Sequence, residues 1–238
     1  MAKVKIRKES EGRKMAVFDV DGTIFRSSLL ISLVNYLVAT EVFPKNAERV
    51  YERAHTKWLD REGDYEEYIQ AVIEAFQKHL KGIHYGVLAD AAEEVVKHEY
   101  KRLYRYTRDL ITDLKQRGYF LLAVSHSPKT ILDKFCPRLG FDKVYGTIYD
   151  IGPQECFTGE IVDAHLIHNK ASIVRRAMEK ENLVLEHSVG VGDTESDISF
   201  LEMVAEPLCF NPNKKLYTYA KRMGWKVVVE RKDVVYEL

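Results

Sequence analysis

The spacing of apolar residues changes markedly along this 238-residue chain. Residues 15–20, with the sequence MAVFDV, form an apolar, β-prone run that leads directly into Asp-Gly. Such a run is typical of a buried parallel strand that ends in a loop. From about residue 26 to 108 the apolar positions instead recur every three or four residues, as at Ile69, Val72 and Phe76. This spacing predicts an all-α segment of roughly four helices.

Beyond residue 108, segments whose apolar residues have helical spacing alternate with short apolar segments that are typical of strands. The predicted strands cover 119–125, 144–151, 155–162, 187–193, 206–210 and 225–229, and the predicted helices cover 129–139, 169–182, 196–204 and 213–223. Alternating strands and helices are typical of an α/β protein with a parallel sheet. We therefore predict an α/β fold with a Rossmann-like, three-layer parallel sheet core, made of residues 1–25 and 108–238. An all-α helical bundle at residues 26–107 would interrupt it.

Composition and charge narrow the range of partners. The 36 Lys and Arg residues balance the 36 Asp and Glu residues, so no net field attracts nucleic acid or an anionic membrane. The cysteines Cys136, Cys156 and Cys209 lack zinc-site spacing and suggest reduced residues of a cytoplasmic protein. The chain begins with a charged segment, and its longest apolar run, 29–38, is too short to span a bilayer. We expect a cytoplasmic monomer or homodimer that binds a small molecule.

Two pairs of carboxylates follow two of the predicted strands. Asp19 and Asp21 lie in the sequence FDVDGT, and Asp193 and Asp197 lie in VGVGDTESD. A single aspartate in such a place is most often a turn former or a helix N-cap. However, open α/β sheets bind ligands at the carboxyl ends of their strands, and four converging carboxylates need a hard cation among them. The sequence thus predicts a magnesium site.

Two further residues suit a phosphoryl group. Ser125 ends the predicted strand 119–125, and Lys170 begins the predicted helix 169–182. A hydroxyl and an ammonium are groups that stabilise phosphoryl oxygens. Alone, Ser125 would be read as a cap and Lys170 as a solvated surface lysine.

The order of these motifs resembles that of a known superfamily. DVDGT, a strand that ends in Ser125, then Lys170, then GDTESD resemble the four motifs of the haloacid dehalogenase superfamily. The helical insertion directly after DVDGT resembles the small helical cap of the branch that contains phosphoserine phosphatase. The resemblance covers nearly the whole chain and implies a cap domain at residues 26–107, with hinges near Arg26 and near Arg105 to Arg108.

The resemblance implies a role for each acidic residue. Asp19 would be the nucleophile that forms an aspartyl-phosphate. Asp21 would be the general acid and then the general base. The Asp19 side chain, the Asp21 carbonyl and Asp193 would hold Mg²⁺. Asp197 would bind the metal through a water or orient Lys170.

The same resemblance implies the contacts of the phosphate. Ser125 and Lys170 would hold the phosphoryl oxygens. Thr23 would also bind the phosphate, or it would brace the first loop. The implied activity is hydrolysis of a small phosphorylated metabolite, a phosphomonoester. Phosphoserine itself is disfavoured, because Ser28 stands where phosphoserine phosphatase has a glutamate.

Three alternatives to a phosphatase stay open at this point. A phosphomutase or phosphotransferase of the same superfamily would use the same residues but keep its aspartyl-phosphate away from water. A non-enzymatic aspartyl phospho-acceptor would also gather acidic residues and a lysine at strand ends. The large helical insertion argues against this last alternative, and so does Asp21, which would promote dephosphorylation.

Several other polar residues have weaker signals. Arg26 and Ser27 could contact substrate, although an arginine that leads into a helix more often faces solvent. His126 would lie at the mouth of the site or simply in a loop. His165 and His168 have no acidic or cysteine partner nearby in the sequence, so they give little support for a metal site.

Overall fold

A computed structural model of the chain describes residues 12–163 and 169–238. In this part of the chain, strands and helices follow one another in the order that the apolar pattern predicts. The strands are β1 Arg13–Phe18, β2 Phe120–Pro128, β3 Lys143–Ile151, β4 Phe157–Val162, β5 Leu183–Gly192, β6 Glu206–Phe210, β7 Lys226–Arg231 and β8 Val234–Glu237. The α-helices are α1 Leu29–Ala39, α2 Glu52–Leu59, α3 Tyr65–Leu80, α4 Tyr85–Glu99, α5 Arg105–Gln116, α6 Lys129–Phe135, α7 Lys170–Glu181, α8 Ile198–Leu201 and α9 Lys214–Met223.

The strands form one sheet in the order β4-β3-β2-β1-β5-β6-β7-β8. The six inner strands are parallel, and the edge strands β4 and β8 pair antiparallel with their neighbours. β1 lies between β2 and β5, with Phe18 in register with Ala123 on one side and Val191 on the other. The carboxyl ends of β1, β2 and β5 therefore meet at one edge of the sheet.

Helices cover both faces of the sheet, which confirms the predicted three-layer α/β fold. Successive residues of β1 point to opposite faces, so Met15 and Val17 belong to one apolar cluster and Ala16 and Phe18 to the other. The first cluster includes α7, α8 and α9. The second includes α5, α6 and the apolar sides of α1, α3 and α4. Each face thus buries its own layer of helices.

The residues between β1 and α5 form the four predicted helices, α1 to α4, and no strand. We call residues 29–99 the helical segment. Its entry and exit run side by side, because the Arg26 amide donates to the Arg102 carbonyl at 2.9 Å and the Tyr104 amide donates to the Ile24 carbonyl at 3.0 Å. Its status as a separate cap domain with bounds 26–107 stays a prediction.

Two predicted helices are not continuous α-helices, and one observed strand was not predicted. The predicted helix 129–139 is α6 followed by a 3₁₀ helix, Cys136–Leu139, because Pro137 has no amide hydrogen to continue the α-helix. The predicted helix 196–204 is a 3₁₀ turn, Glu195–Asp197, followed by the short α8. β8 was not predicted, and it is a short edge strand that pairs with β7. Among the described residues, no helix is both long enough and apolar enough to cross a membrane.

Candidate active site

The turn after β1 brings the first acidic pair to the sheet edge. Asp19 directly follows β1, and its amide donates to the Val191 carbonyl of β5 at 2.9 Å. Two residues later the chain has turned, so that Asp21 Oδ1 accepts a 2.6 Å hydrogen bond from the amide of Leu29, the first residue of α1. Asp21 therefore lies at the amino end of a helix, where a negative charge is favoured.

Lys170 lies between two of the predicted carboxylates. Its Nζ atom is 2.6 Å from Asp19 Oδ1 and 2.6 Å from Asp197 Oδ1, and only 2% of the residue is exposed. Asn169 caps α7 at its first turn by accepting from the Ser172 amide, which fixes the position of Lys170. Burial alone would lower the pKa of the Lys170 ammonium, but the two carboxylates raise it above its ordinary value. The lysine is therefore a fixed positive charge, not the solvated surface residue that it would be in isolation.

Asp197 has both carboxylate oxygens occupied. Oδ1 contacts Lys170, and Oδ2 accepts hydrogen bonds of 3.0 Å from the amides of Asp193 and Thr194. Gly192 permits this close packing, since an added Cβ would lie 2.5 Å from Asp197 Cβ. This geometry favours the predicted role of Asp197 in orienting Lys170 over the alternative of binding the metal through a water.

Asp19, Asp193 and Asp197 form a carboxylate cluster in which one ligand oxygen from each residue lies within 4.8 Å of the others. Burial, followed by repulsion within the cluster, raises the pKa of Asp193 well above its ordinary value. Burial also raises the pKa of Asp19 to about 8, although Lys170 opposes the shift. Among the described residues, Asp19 Oδ2 is the only buried side-chain oxygen or nitrogen without a hydrogen-bond partner. A hard cation would satisfy this oxygen and the excess negative charge, so the donor set fits Mg²⁺.

Gly22 and Thr23 hold Asp193 against the first loop. Thr23 Oγ1 donates to Asp193 Oδ1 at 3.2 Å. Gly22 has a φ of +80°, and an added Cβ would lie 2.1 Å from Asp193 Oδ2, so a side chain there would displace the carboxylate. The Thr23 side chain is fully buried, which favours its role as a brace for the loop.

Asp21 accepts hydrogen bonds from two serines of β2. Ser125 Oγ and Ser127 Oγ both donate to Asp21 Oδ2 at 2.7 Å, and the Ser127 amide donates to Ser125 Oγ at 2.9 Å. Burial raises the pKa of Asp21, while these serines and the Leu29 amide oppose the shift. Ser127 was not among the predicted site residues. Its position two residues after Ser125 places both side chains on one face of the strand, which is the signal that could have found it.

Ser28 has a structural contact instead of a place in the site. It is 2% exposed, and its Oγ atom caps α1 by accepting from the Ile31 amide at 3.4 Å. Arg26 is exposed, and its guanidinium lies 5.7 Å from the centre of the Tyr104 ring. His165 and His168 lie outside the described residues.

A cavity of about 850 Å³ opens between this edge of the sheet and the helical segment. Its core side includes Gly22, Asp193 and Asn211, and its opposite side comes from α1, α2, α3 and the 3₁₀ helix Lys45–Val50. Tyr65 and Tyr68 contribute to this lining. Their helical apolar spacing by itself predicts that such aromatic residues pack within the helical bundle. A cavity of this size can hold a small organic ligand next to the carboxylates.

The chain matches the family model described as haloacid dehalogenase-like hydrolase over residues 16–202. It is 22% identical over 227 residues to a protein named histidinol-phosphatase from Neisseria meningitidis serogroup C, covering 91% of this chain and 98% of that protein.

Two solved structures share the fold. A protein of unknown function from Bordetella pertussis Tohama I matches with a TM-score of 0.74 at 21% identity, covering 91% of this chain and 98% of the other. A structure titled as a phospho-aspartyl intermediate analogue of phosphoserine phosphatase matches with a TM-score of 0.60 at 21% identity, covering 93% and 95%. These matches support the fold assignment.

Proposed function

We propose that this chain, which belongs to the haloacid dehalogenase-like hydrolase family, is a magnesium-dependent phosphatase of a small phosphomonoester. The observation that carries this proposal is the environment of Asp19. Lys170 fixes Asp19 Oδ1, while Oδ2 is buried without a partner among the described residues, and the carboxylate belongs to the cluster with Asp193 and Asp197. An oriented carboxylate whose unpartnered oxygen can take a cation suits metal-assisted nucleophilic attack on phosphorus.

Asp19, the Asp21 carbonyl and Asp193 would hold Mg²⁺ in this proposal. When bound, the ion would neutralise charge between the nucleophile and the phosphate. The carboxylate of Asp19 would form a bond to phosphorus while the bond from phosphorus to the ester oxygen breaks. This step leaves an aspartyl-phosphate on Asp19 and releases the alcohol.

Asp21 would move the protons. In its protonated form it would give a proton to the departing ester oxygen, and its carboxylate would then take a proton from the water that attacks phosphorus. That second attack releases inorganic phosphate and restores Asp19. The buried setting of Asp21 raises its pKa, which favours the protonated form needed in the first step.

Lys170 and Ser125 would hold the phosphoryl oxygens while Asp19 attacks phosphorus. The Lys170 ammonium supplies a positive charge beside Asp19, and the Ser125 hydroxyl lies next to Asp21. Thr23 would act as a brace through Asp193. Because the Lys170 ammonium is fixed beside Asp19, it would need little reorganisation as charge develops on the phosphoryl group.

The test is release of inorganic phosphate from p-nitrophenyl phosphate and a panel of metabolite phosphates, with magnesium and with a chelator. The panel includes phosphoserine and histidinol phosphate, because similar proteins carry those names. We expect magnesium-dependent release that Asp19→Asn abolishes. Asn can still accept from Lys170, so this variant should fold, and Asp90→Asn at an exposed position is the matched control.

Folded wild-type protein that releases no phosphate from any ester would contradict the proposal. In that case isomerised or transferred products would indicate a phosphomutase or phosphotransferase. Stable labelling by a small phosphodonor without turnover would indicate an aspartyl phospho-acceptor.

A further inference from the structure

The end of β2 directs two serine hydroxyls at one oxygen of Asp21. Ser125 Oγ and Ser127 Oγ each lie 2.7 Å from Asp21 Oδ2, and both donate to it. The other oxygen of the carboxylate, Oδ1, accepts from the Leu29 amide at 2.6 Å. Asp21 is therefore held on both oxygens, and its Oδ2 atom is held twice.

Ser125 has two partners in the proposed reaction, and its hydroxyl cannot donate to both at once. A serine hydroxyl carries one hydrogen and two acceptor lone pairs. In the structure this hydrogen goes to Asp21 Oδ2. When it turns to a phosphoryl oxygen, as the proposed role of Ser125 requires, Ser125 no longer donates to Asp21. The Ser127 hydroxyl then holds Oδ2 in its place.

The backbone of Ser127 also holds the Ser125 oxygen through such a turn. The Ser127 amide donates to Ser125 Oγ at 2.9 Å. This bond uses a lone pair of the oxygen, so the oxygen can stay in place while its hydrogen rotates from Asp21 to the phosphoryl group. Ser127 therefore contacts both groups, Ser125 through its amide and Asp21 through its hydroxyl.

The strand end that carries both serines is itself fixed. Ser127 is 3% exposed, and the Thr147 hydroxyl of β3 donates to the neighbouring His126 carbonyl at 2.6 Å. The register between β2 and β3 shifts between Val124 and Pro128, and such irregularities change the direction of side chains at a strand end. The Ser127 hydroxyl is therefore held on Asp21 by the surrounding sheet.

A buried serine with only a structural role has different partners in this sheet. Ser188 of β5 is fully buried, its hydroxyl donates to the Leu185 carbonyl at 2.5 Å, and its oxygen accepts from the Ala205 amide at 3.1 Å. Both partners are backbone groups. The Ser127 hydroxyl instead donates to the carboxylate proposed as acid and base. Ser188 is therefore a matched control for Ser127.

We propose that Ser127 is a positioning residue for Asp21, which keeps the carboxyl group oriented when the Ser125 hydroxyl turns to the phosphoryl group of the substrate. This inference rests on the proposed phosphatase activity and adds a residue to its machinery. Ser127 acts through Asp21 and leaves contact with the phosphoryl group to Ser125. Its loss should therefore affect proton transfer and spare phosphate binding.

The first test compares two esters of the same ring, phenyl phosphate and p-nitrophenyl phosphate, with magnesium present. Phenolate is a stronger base than p-nitrophenolate, so its departure depends more on a proton from Asp21. We expect Ser127→Ala to lower kcat/KM by about tenfold or more for phenyl phosphate and by less than about threefold for p-nitrophenyl phosphate. General damage to packing would lower both values alike.

The second test measures phosphate binding, with inorganic phosphate as a competitive inhibitor of p-nitrophenyl phosphate hydrolysis. Ser125→Ala removes a proposed phosphate contact and should raise the inhibition constant by about tenfold. Ser127→Ala should leave this constant within about twofold of the wild-type value, because the Ser127 hydroxyl contributes no bond to phosphate.

A double-mutant cycle tests whether Ser127 acts through Asp21. In the Asp21→Asn background, Ser127→Ala should change kcat/KM for phenyl phosphate by less than about threefold, since the acid that it positions is already lost. Ser188→Ala removes a buried hydroxyl from another strand of the same sheet. It should keep the wild-type ratio of the two kcat/KM values even where its Tm falls.

Three results with folded variants would overturn the positioning role. The first is that Ser127→Ala leaves both esters unchanged or slows both equally. The second is that it weakens phosphate inhibition as much as Ser125→Ala does, which would make Ser127 a phosphate ligand. The third is an undiminished effect in the Asp21→Asn background. Absence of phosphate release from both esters by wild-type protein would instead contradict the phosphatase activity itself.

Discussion

At the residue scale, the site depends on buried charges whose partners are far apart in the sequence. Lys170 contacts Asp19 and Asp197, which are 151 and 27 positions away. Taken singly, each of these residues has an ordinary interpretation as a cap or a surface charge. Their burial together excludes that interpretation, because unpaired charges are too costly inside a protein.

Asp21→Asn should separate the two chemical steps of the proposed reaction. The Asn oxygen can keep the hydrogen bond from the Leu29 amide, and its NH2 group can donate to the hydroxyls of Ser125 and Ser127, which can rotate to accept, so the loop should fold. Loss of the acid and base should slow turnover of alkyl phosphates by about 10²- to 10⁴-fold. p-Nitrophenol leaves without a proton, so the first step with p-nitrophenyl phosphate should be spared.

Rapid mixing with p-nitrophenyl phosphate measures this difference. We expect a burst of about one p-nitrophenol per enzyme, followed by slow turnover, because water attack on the aspartyl-phosphate lacks its base. Equal slowing of both steps, with no burst, would show that Asp21 has another role. Asp90→Asn again serves as the control and should turn over like the wild type.

At the element scale, the loop between β1 and α1 sets the distance between the carboxylates that follow β1 and those that follow β5. Its glycine, Gly22, has left-handed backbone geometry and lies against Asp193 Oδ2. The amino end of α1 binds Asp21 through the Leu29 amide. This turn therefore positions the nucleophile loop relative to the metal-binding loop after β5.

Gly22→Ala should strain the backbone and should also displace the Asp193 carboxylate from the cluster. Gly82→Ala is a matched control, because Gly82 has a φ of +84° and no atom within 4 Å of an added Cβ. Both changes should cost roughly 1–2 kcal/mol of stability from left-handed strain. We expect Gly22→Ala alone to lose magnesium binding, measured by calorimetry, and phosphate release. Retention of both would contradict the proposed contact with Asp193.

At the scale of the whole molecule, the carboxylate cluster couples folding to pH and to metal. The pKa of Asp19 is raised from 3.8 to about 8 and that of Asp193 is raised well above its ordinary value. Between about pH 4 and pH 8 the folded, metal-free protein therefore binds more protons than the unfolded chain. Its free energy of unfolding should fall as the pH rises through this window.

Thermal unfolding with a chelator and with magnesium, at about pH 5.5 and about pH 8.5, measures this coupling. The metal-free Tm should fall from the lower to the higher pH, and magnesium should raise Tm more at the higher pH, where it no longer competes with protons. Asp19→Asn should weaken both trends. A metal-free Tm that rises across the same interval would contradict the raised pKa values.

The sequence by itself determined the order of the elements, the α/β class and the motif residues. Local patterns carry this information, since the apolar spacing distinguishes helix from strand and an aspartate after a buried strand lies at the sheet edge. The bounds of α1, α3, α7 and β6 follow the predictions within a residue or two. The predictions missed the end of α6 before Pro137 and the short edge strand β8. Both features alter the spacing of apolar residues only slightly, so the pattern does not reveal them.

Only the tertiary structure decided which of these residues act together. It placed Ser127 against Asp21, turned Ser28 into a helix cap, and gathered residues of α2, α3 and the 3₁₀ helix Lys45–Val50 around one cavity. An amphipathic pattern predicts that an aromatic residue lies on the apolar face of its helix. It does not predict whether that face packs against another helix or lines an open cavity. That outcome depends on long-range packing, which is why the cavity and the aromatic residues that line it became apparent only in the folded chain.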